Sequence, residues 1–246
     1  MKFLKVNMME REKDFLKTEG KNFTIVFTNA ENNRSFNRNT ESGIKELESL
    51  KEEFQVKDIA YLKQVHSDKI LKYTLNQNKF NENEGDAVIS DEKEVIIGVF
   101  TADCVPVILV DEEKSVAAAI HSGWRGTFES ITLKTVEKMK KEYGCRSENI
   151  KAFIGPHIRE CCYEVSQELK DKFIEKKNKI EPSVLFKDKN LNLEVCIEKD
   201  LKDAGLKEEN INSLGLCTYC SKEIKLHSYR KSEGAYGRMF AFIILH

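Results

Sequence analysis

Apolar positions recur along this chain with two different periods. Phe23–Thr28 (FTIVFT), Ile59–Val65, Lys69–Leu75, Asp86–Ser90, Val95–Phe100, Lys151–Ile154, Ser213–Leu216 and Met239–Leu245 are short apolar runs between polar segments, the pattern of strands. Ile44, Leu47, Leu50 and Phe54 fall close to i, i+3, i+4 spacing and predict a helix over Ile44–Phe54. Phe128, Ile131, Val136, Met139 and Tyr143 fall within about 140° on a helical wheel. That predicts a second helix, with Thr127 as its N-cap and Gly144 as its stop. Ser166 caps a helix running through Lys176, and Gly205 ends another over Val195–Ala204. Ala30–Thr40 and Asn76–Gly85 are polar and read as loops. No regular βαβ period appears, so the pattern predicts an α+β protein built in layers. There is no internal repeat and no Pro/Gly/Ser-rich linker, and only three prolines occur in 246 residues. One domain over residues 1–246 is the expectation.

The stretch Thr101–Thr127, TADCVPVILVDEEKSVAAAIHSGWRGT, organises the rest. Val105–Val110 and Ser115–Ile120 predict a hairpin around the charged turn Asp111–Lys114. A turn centred between Glu112 and Glu113 would set Cys104 opposite His121, close enough to share one ligand. Thiolate and imidazole are the usual protein ligands of zinc. Against this stands the ordinary buried cysteine beside a surface histidine. The functional groups on both sides, Thr-Ala-Asp before and Ser-Gly-Trp-Arg-Gly after, favour a site. Pro106 implies that the first strand starts late or lies at an edge.

Composition narrows the partners. Forty Lys+Arg nearly cancel forty-one Asp+Glu, which points away from nucleic acid and anionic membranes. No apolar run approaches a membrane span, and the N-terminal MKFLKVNMMEREKDF makes a poor signal peptide. Seven cysteines, an odd number in a chain this long, do not form a disulfide scaffold. A reducing cytoplasm, where thiols are free to bind metal, is expected.

Other motifs add candidates. Gln64-Val65-His66 closes a predicted strand. His66 with Cys104 and His121 would make three ligands with a fourth position open, the arrangement of a catalytic zinc. Such a metal polarises an oxygen or activates water at neutral pH. Asp103 fits a hydrogen-bond partner for an imidazole, a general acid/base, or a turn aspartate; for Asp86 the turn is favoured. Arg125 in Gly123-Trp124-Arg125-Gly126 offers a fork for phosphate or carboxylate, or pairs with a surface acid. Arg230 and Arg238 bring cations near the C-terminus. Cys161-Cys162 and Cys217-x-x-Cys220 read by default as free thiols, since the second motif lacks a partner pair.

Taken in order, QVH (Gln64–His66), GDA (Gly85–Ala87), TADCVP (Thr101–Pro106), HSGWRG (His121–Gly126), IGPHI…CCYEV (Ile154–Val165), CTYC (Cys217–Cys220) and SYR…GR (Ser228–Arg238) resemble the YfiH-type family. Its members are named polyphenol oxidase or multicopper laccase-like, and are described also as zinc-dependent purine nucleoside phosphorylases. The resemblance covers about residues 58–245. It implies a layered α/β/β/α sandwich with mixed sheets, and a zinc held by His66, Cys104 and His121. It also implies phosphorolysis of adenosine and inosine, with side activities on methylthioadenosine and in adenosine deamination. In that reaction Arg125 and Arg230 are candidates to hold phosphate, and Asp103 to protonate or stabilise the leaving purine. The family's Arg-x-Gly-Gly loop after the first strand is replaced here by Phe27-Thr28-Asn29-Ala30-Glu31-Asn32, with Arg34 or Arg38 as candidate substitutes.

Two rival readings remain. A copper-dependent polyphenol oxidase needs several coppers and many histidines, and only five histidines are present. A metal-free thiol hydrolase would use Cys104 as nucleophile and His121 or His66 as base. A zinc bound for structure alone is disfavoured by three mixed ligands in place of four cysteines.

Overall fold

The apolar runs assemble into two mixed sheets. The computed structural model describes residues 2–3, 9–75, 77–233 and 237–246. Its strands are β1 (Lys2–Phe3), β2 (Glu10–Glu12), β3 (Phe15–Glu19), β4 (Phe23–Thr28), β5 (Asp58–Ala60), β6 (Ile70–Lys72), β7 (Ala87–Ser90) and β8 (Val95–Thr101). They continue with β9 (Val105–Asp111), β10 (Val116–Ser122), β11 (Ile150–Ile154), β12 (Phe186–Lys187), β13 (Asn190–Leu191), β14 (Ile211–Ser213) and β15 (Met239–Leu245). The helices are α1 (Glu41–Phe54), α2 (Trp124–Phe128), α3 (Ile131–Tyr143), α4 (Gln167–Lys176), α5 (Pro182–Leu185) and α6 (Leu193–Asp203).

One sheet has seven strands in the order β1-β14-β11-β9-β10-β7-β6, the other six in the order β2-β3-β4-β15-β8-β5, and β12-β13 pair separately. Their inner faces meet in a core that includes Ile25, Phe27, Ile97 and Ile243 from the six-stranded sheet and Ile108, Val110, Ala117 and Ala119 from the other. Helix α1 covers the outer face of the six-stranded sheet, with Leu47 and Leu50 against Val26, Ile96 and Phe242. Helices α3, α4 and α6 cover the opposite face, where Val107, Leu109, Ala118 and Ile120 meet Val136, Phe173 and Ile197. The layers are therefore α/β/β/α, with parallel and antiparallel pairs in both sheets. Strands β9 and β10 are buried on both faces, which is why they read as unbroken apolar runs. Among the described residues no helix is long and apolar enough to cross a membrane.

Several expected boundaries move, each for a local reason. The hairpin pairs Asp111 with Val116, so Pro106, and not Cys104, lies opposite His121. Asp111 closes the turn by accepting the N–H groups of Glu113 and Lys114 at 3.0 and 3.1 Å, and Ser115 takes a left-handed φ of 51°. The loop is thus Glu112–Ser115, one residue later than Asp111–Lys114. A register shift of two keeps Cys104 and His121 on the same face of the sheet. Pro106 lies in a central strand, near its start, where β11 has ended and only its carbonyl is used, by Gly155 N–H at 3.0 Å.

Thr127 does not cap α3. It lies inside α2, with its hydroxyl 2.8 Å from that of Ser122. Ser130 breaks the helix at φ 59° because its hydroxyl joins a buried set, donating to Asp200 at 3.1 Å and accepting Lys177 Nζ at 2.7 Å. The expected strand Ile59–Val65 ends at Ala60, since Tyr61 N–H turns to the Asn81 side chain at 2.9 Å and Lys63 N–H to Asn83 O at 2.8 Å. The expected strand Ser213–Leu216 is Ile211–Ser213, ended before Gly215 at φ 63°. Asn76, in the expected Asn76–Gly85 loop, residues 234–236 of the SYR…GR stretch, and residues 1 and 4–8 lie outside the described residues.

Candidate active site and metal centre

At one end of the sandwich, β10 delivers His121 and the segment before β9 delivers Cys104. His66 arrives from the loop after β5, held in a left-handed conformation at φ 59°. The ligand atoms of the three lie within 4.8 Å of one another. Cys104 Sγ is 3.8 Å from His66 Nε2, and the two imidazoles stand edge to face at 4.9 Å between centroids. Gly123 fits beneath them because it has no side chain: a Cβ there would sit 2.9 Å from His66 Cδ2 and 3.0 Å from Cys104 Sγ.

Asp86 builds this arrangement. Fully buried at the head of β7, it accepts the N–H groups of Val65, His66 and Ser67 at 3.3, 3.0 and 2.6 Å and the Ser67 hydroxyl at 2.7 Å. One carboxylate thereby fixes the loop that carries His66. Its Oδ1 also lies 2.8 Å from His121 Nδ1 and accepts its N–H, so Nε2 is the nitrogen that faces the other two ligands and would give up its proton to a metal. Burial opposes the charge on Asp86, but His121 and Ser67 outweigh it and hold the carboxyl below its ordinary range. The part expected of Asp103, partner to an imidazole, thus falls to Asp86, which the sequence favoured as a turn residue. Gln64 secures the other end of the loop with a two-way bond to the Phe100 backbone, donating at 2.8 Å and accepting at 2.7 Å.

The donor set suits a metal. Burial alone would raise the Cys104 thiol, yet the charge of His121 and hydrogen bonds from His121 and His66 bring it down to about 6. Burial likewise opposes the charge on His121, but Cys104 and Asp86 raise it to about 9. A thiolate is thus favoured where a metal would take it. The remaining histidines are engaged elsewhere: His157 with Gly155 O, His227 with Arg34 O and His246 with Thr24.

The triad opens into a cleft of about 440 Å³. Phe100, Trp124, Tyr163 and Tyr229 give it aromatic surface, and Arg38, Arg125, Arg230 and Arg238 give it positive charge. Arg125 stacks its guanidinium on Trp124 at 4.5 Å. Arg230 lies over the Tyr163 ring at 5.5 Å and donates to Glu164 O at 3.2 Å. Asp103, at φ 98°, accepts the Thr218 hydroxyl at Oδ1, 2.6 Å away, and Arg230 N–H at Oδ2, 2.7 Å away, so one oxygen holds the turn after β14 and the other the segment that carries Arg230. Of the two candidates to replace the family's arginine loop, Arg38 lines the cleft. Arg34 is turned away, paired with Glu46 and Glu53 beside Phe36. Tyr163, within the CCYEV stretch, lines the cleft without any signal of its own in the sequence.

Residues 17–246 match the family described as multi-copper polyphenol oxidoreductase laccase. A purine nucleoside phosphorylase of Clostridium acetobutylicum is 46% identical over 230 residues, covering 94% of this chain and 95% of that protein. A purine nucleoside phosphorylase of Borreliella burgdorferi is 35% identical over 71% of this chain and 75% of its own. The crystal structure of a hypothetical protein YfiH from Bacillus licheniformis superposes with a TM-score of 0.87 at 25% identity, covering 98% of this chain and all of that one. With the whole of the His66–Cys104–His121 cleft inside the matched region, the chain belongs to the multi-copper polyphenol oxidoreductase laccase family, whose YfiH-like fold it shares.

Proposed function

We propose that this protein is a zinc-dependent purine nucleoside phosphorylase acting on adenosine and inosine. Methylthioadenosine cleavage and adenosine deamination are proposed as secondary reactions. The observation that carries the reading is one cleft that joins a three-ligand metal site to four arginines and an aromatic wall. The names of the relatives support the same reaction class.

In phosphorolysis a phosphate oxygen bonds to ribose C1′ as the bond from C1′ to the purine nitrogen breaks, and the electron pair leaves with the base. The dianionic nucleophile must be gathered and aimed, which is the work of guanidinium groups. Arg125 and Arg230 are assigned that part, with Arg38 nearby to replace the missing loop arginine. The aromatic side chains offer stacking surface to a purine. Burial raises the Tyr163 hydroxyl well above its ordinary value, so it stays a neutral donor in the cleft. With both oxygens occupied, Asp103 is assigned to positioning Arg230 rather than to protonating the base. Bound at His66, Cys104 and His121, zinc would supply a Lewis acid for substrate oxygens and activate water for deamination.

Copper oxidase chemistry fits less well. Among the described residues, the groups able to hold a metal include only two histidines, His66 and His121. A metal-free thiol hydrolase would draw on the same lowered Cys104 thiol. Elemental analysis of wild-type protein and of a His66→Ala/Cys104→Ala/His121→Ala variant separates the three readings by the metal that the replacement removes: zinc, several coppers, or none. The decisive experiment incubates pure protein with adenosine or inosine, with and without phosphate, and resolves the products by chromatography. Free base and ribose 1-phosphate that form only with phosphate are expected. Unchanged substrate with zinc bound would refute the assignment.

A further inference from the structure

Four of the seven cysteines gather away from the His66–Cys104–His121 group. Cys161 and Cys162 come from the segment after β11, and Cys217 and Cys220 from the turn after β14. All four sulfurs lie within 4.8 Å of one another, and those of Cys161 and Cys220 are 3.5 Å apart. Tetrahedral zinc with Zn–S bonds of about 2.3 Å needs sulfurs about 3.8 Å apart. In sequence Cys217-x-x-Cys220 lacks a second pair of ligands; in space Cys161-Cys162 provides it.

The backbone is shaped for the task. Ser221 N–H donates to Cys217 O at 3.0 Å and closes the Cys-x-x-Cys turn. Cys161 and Cys220 are exposed, which gives an ion a way in.

We propose that Cys161, Cys162, Cys217 and Cys220 form a second metal centre, an all-thiolate structural site for zinc that fastens together two walls of the cleft. Cys162 precedes Tyr163 in the aromatic wall, and Cys217 precedes Thr218, which donates to Asp103 beside Cys104. His157 already links the two segments, through His157 N–H to Leu216 O at 3.2 Å and Thr218 N–H to His157 O at 2.9 Å. An ion bridging them would hold Tyr163, Asp103 and the Arg230 backbone in register. The centre is independent of which reaction the cleft performs.

The test strips the full-length protein of metal under reducing conditions, restores Zn²⁺ alone, and measures zinc per chain after dialysis. About two zinc ions per wild-type chain are expected. About one is expected in a His66→Ala/Cys104→Ala/His121→Ala variant and about one in Cys161→Ser/Cys220→Ser. Loading the triple variant with Co²⁺ should give intense thiolate-to-cobalt charge-transfer bands, since only the cysteine quartet remains. That measurement decides the matter even if the serine variant fails to fold. A triple variant that binds no zinc, or whose cobalt spectrum lacks thiolate bands, overturns the proposal. So does recovery of a Cys161–Cys220 disulfide from protein prepared with reductant and zinc.

Discussion

Replacing Asp86 with asparagine changes one atom in the interior and places two demands on it that cannot both be met. Oδ1 of Asp86 accepts from His66 N–H and His121 Nδ1–H; Oδ2 accepts from Val65 N–H, Ser67 N–H and the Ser67 hydroxyl. Asparagine has one acceptor oxygen and one NH₂. If the NH₂ takes the Oδ2 place, it faces two backbone donors, and the His66 loop loses its anchor. If it takes the Oδ1 place, His121 must accept at Nδ1, which moves its proton to Nε2 and removes it as a ligand. Loss of such a partner to a ligating histidine costs about 10- to 100-fold in metal affinity, or about 1.4–2.7 kcal/mol. The buried donor left facing another donor costs about 1–3 kcal/mol of fold stability. The affinity is measured by competition with a chromophoric chelator, and the stability by thermal unfolding of metal-free protein. A folded Asp86→Asn protein that binds zinc within twofold of wild type would refute the tautomer argument. Ser67→Ala, which removes one of the five contacts and leaves the charge, should lose far less.

Gly123→Ala tests the tight fit beneath the triad: its backbone suits alanine, but the new Cβ would press on His66 and Cys104, so weaker metal binding with nearly unchanged secondary structure is expected by chelator competition and circular dichroism. Arg230→Met keeps the Arg230 N–H bond to Asp103 and removes only the guanidinium; it should raise the KM for phosphate by roughly 10- to 100-fold, the worth of a charged hydrogen bond, while zinc content and adenosine deamination stay near wild type, and equal losses of both reactions would argue against a phosphate contact. The metal-free triad should behave as a thiolate–imidazolium pair over a defined window. The Cys104 contribution to stability is present above the ordinary thiol value and is lost as pH falls through about 6, whereas that of His121 is present below the ordinary histidine value and is lost as pH rises through about 9. Iodoacetamide labelling of Cys104, read by peptide mass, should therefore stay nearly flat from about pH 9 down to about pH 6; a rate that climbs tenfold per pH unit across that interval would contradict the pairing.

What the sequence revealed, and what it hid, follows from the range of the forces involved. Strands β4 and β15 are legible residue for residue, because each is an apolar run buried along its whole length. The caps at Ser166 and Gly144 are legible too, since a side-chain or left-handed cap is a local device. The break at Ser130 is not: it depends on Asp200 and Lys177, both distant in the chain. The hairpin register lies two residues from the one the charged tetrapeptide predicts, because the Asp111 side chain, and not the symmetry of that tetrapeptide, sets the turn. An even shift preserves the face, so Cys104 and His121 still meet. Asp86 is the instructive case. Gly-Asp-Ala in sequence is an ordinary turn, and nothing in its neighbours shows that one carboxylate will gather three backbone N–H groups and an imidazole. Its part is written in contacts with residues about twenty and thirty-five positions away. The thiol quartet is hidden in the same way: a lone C-x-x-C gains a complete ligand set only when the fold brings up Cys161 and Cys162. In this chain His66, Cys104 and His121 could be singled out by type and spacing, whereas Asp86, which orients two of them, and the meeting of the two cysteine pairs could be found only from the fold.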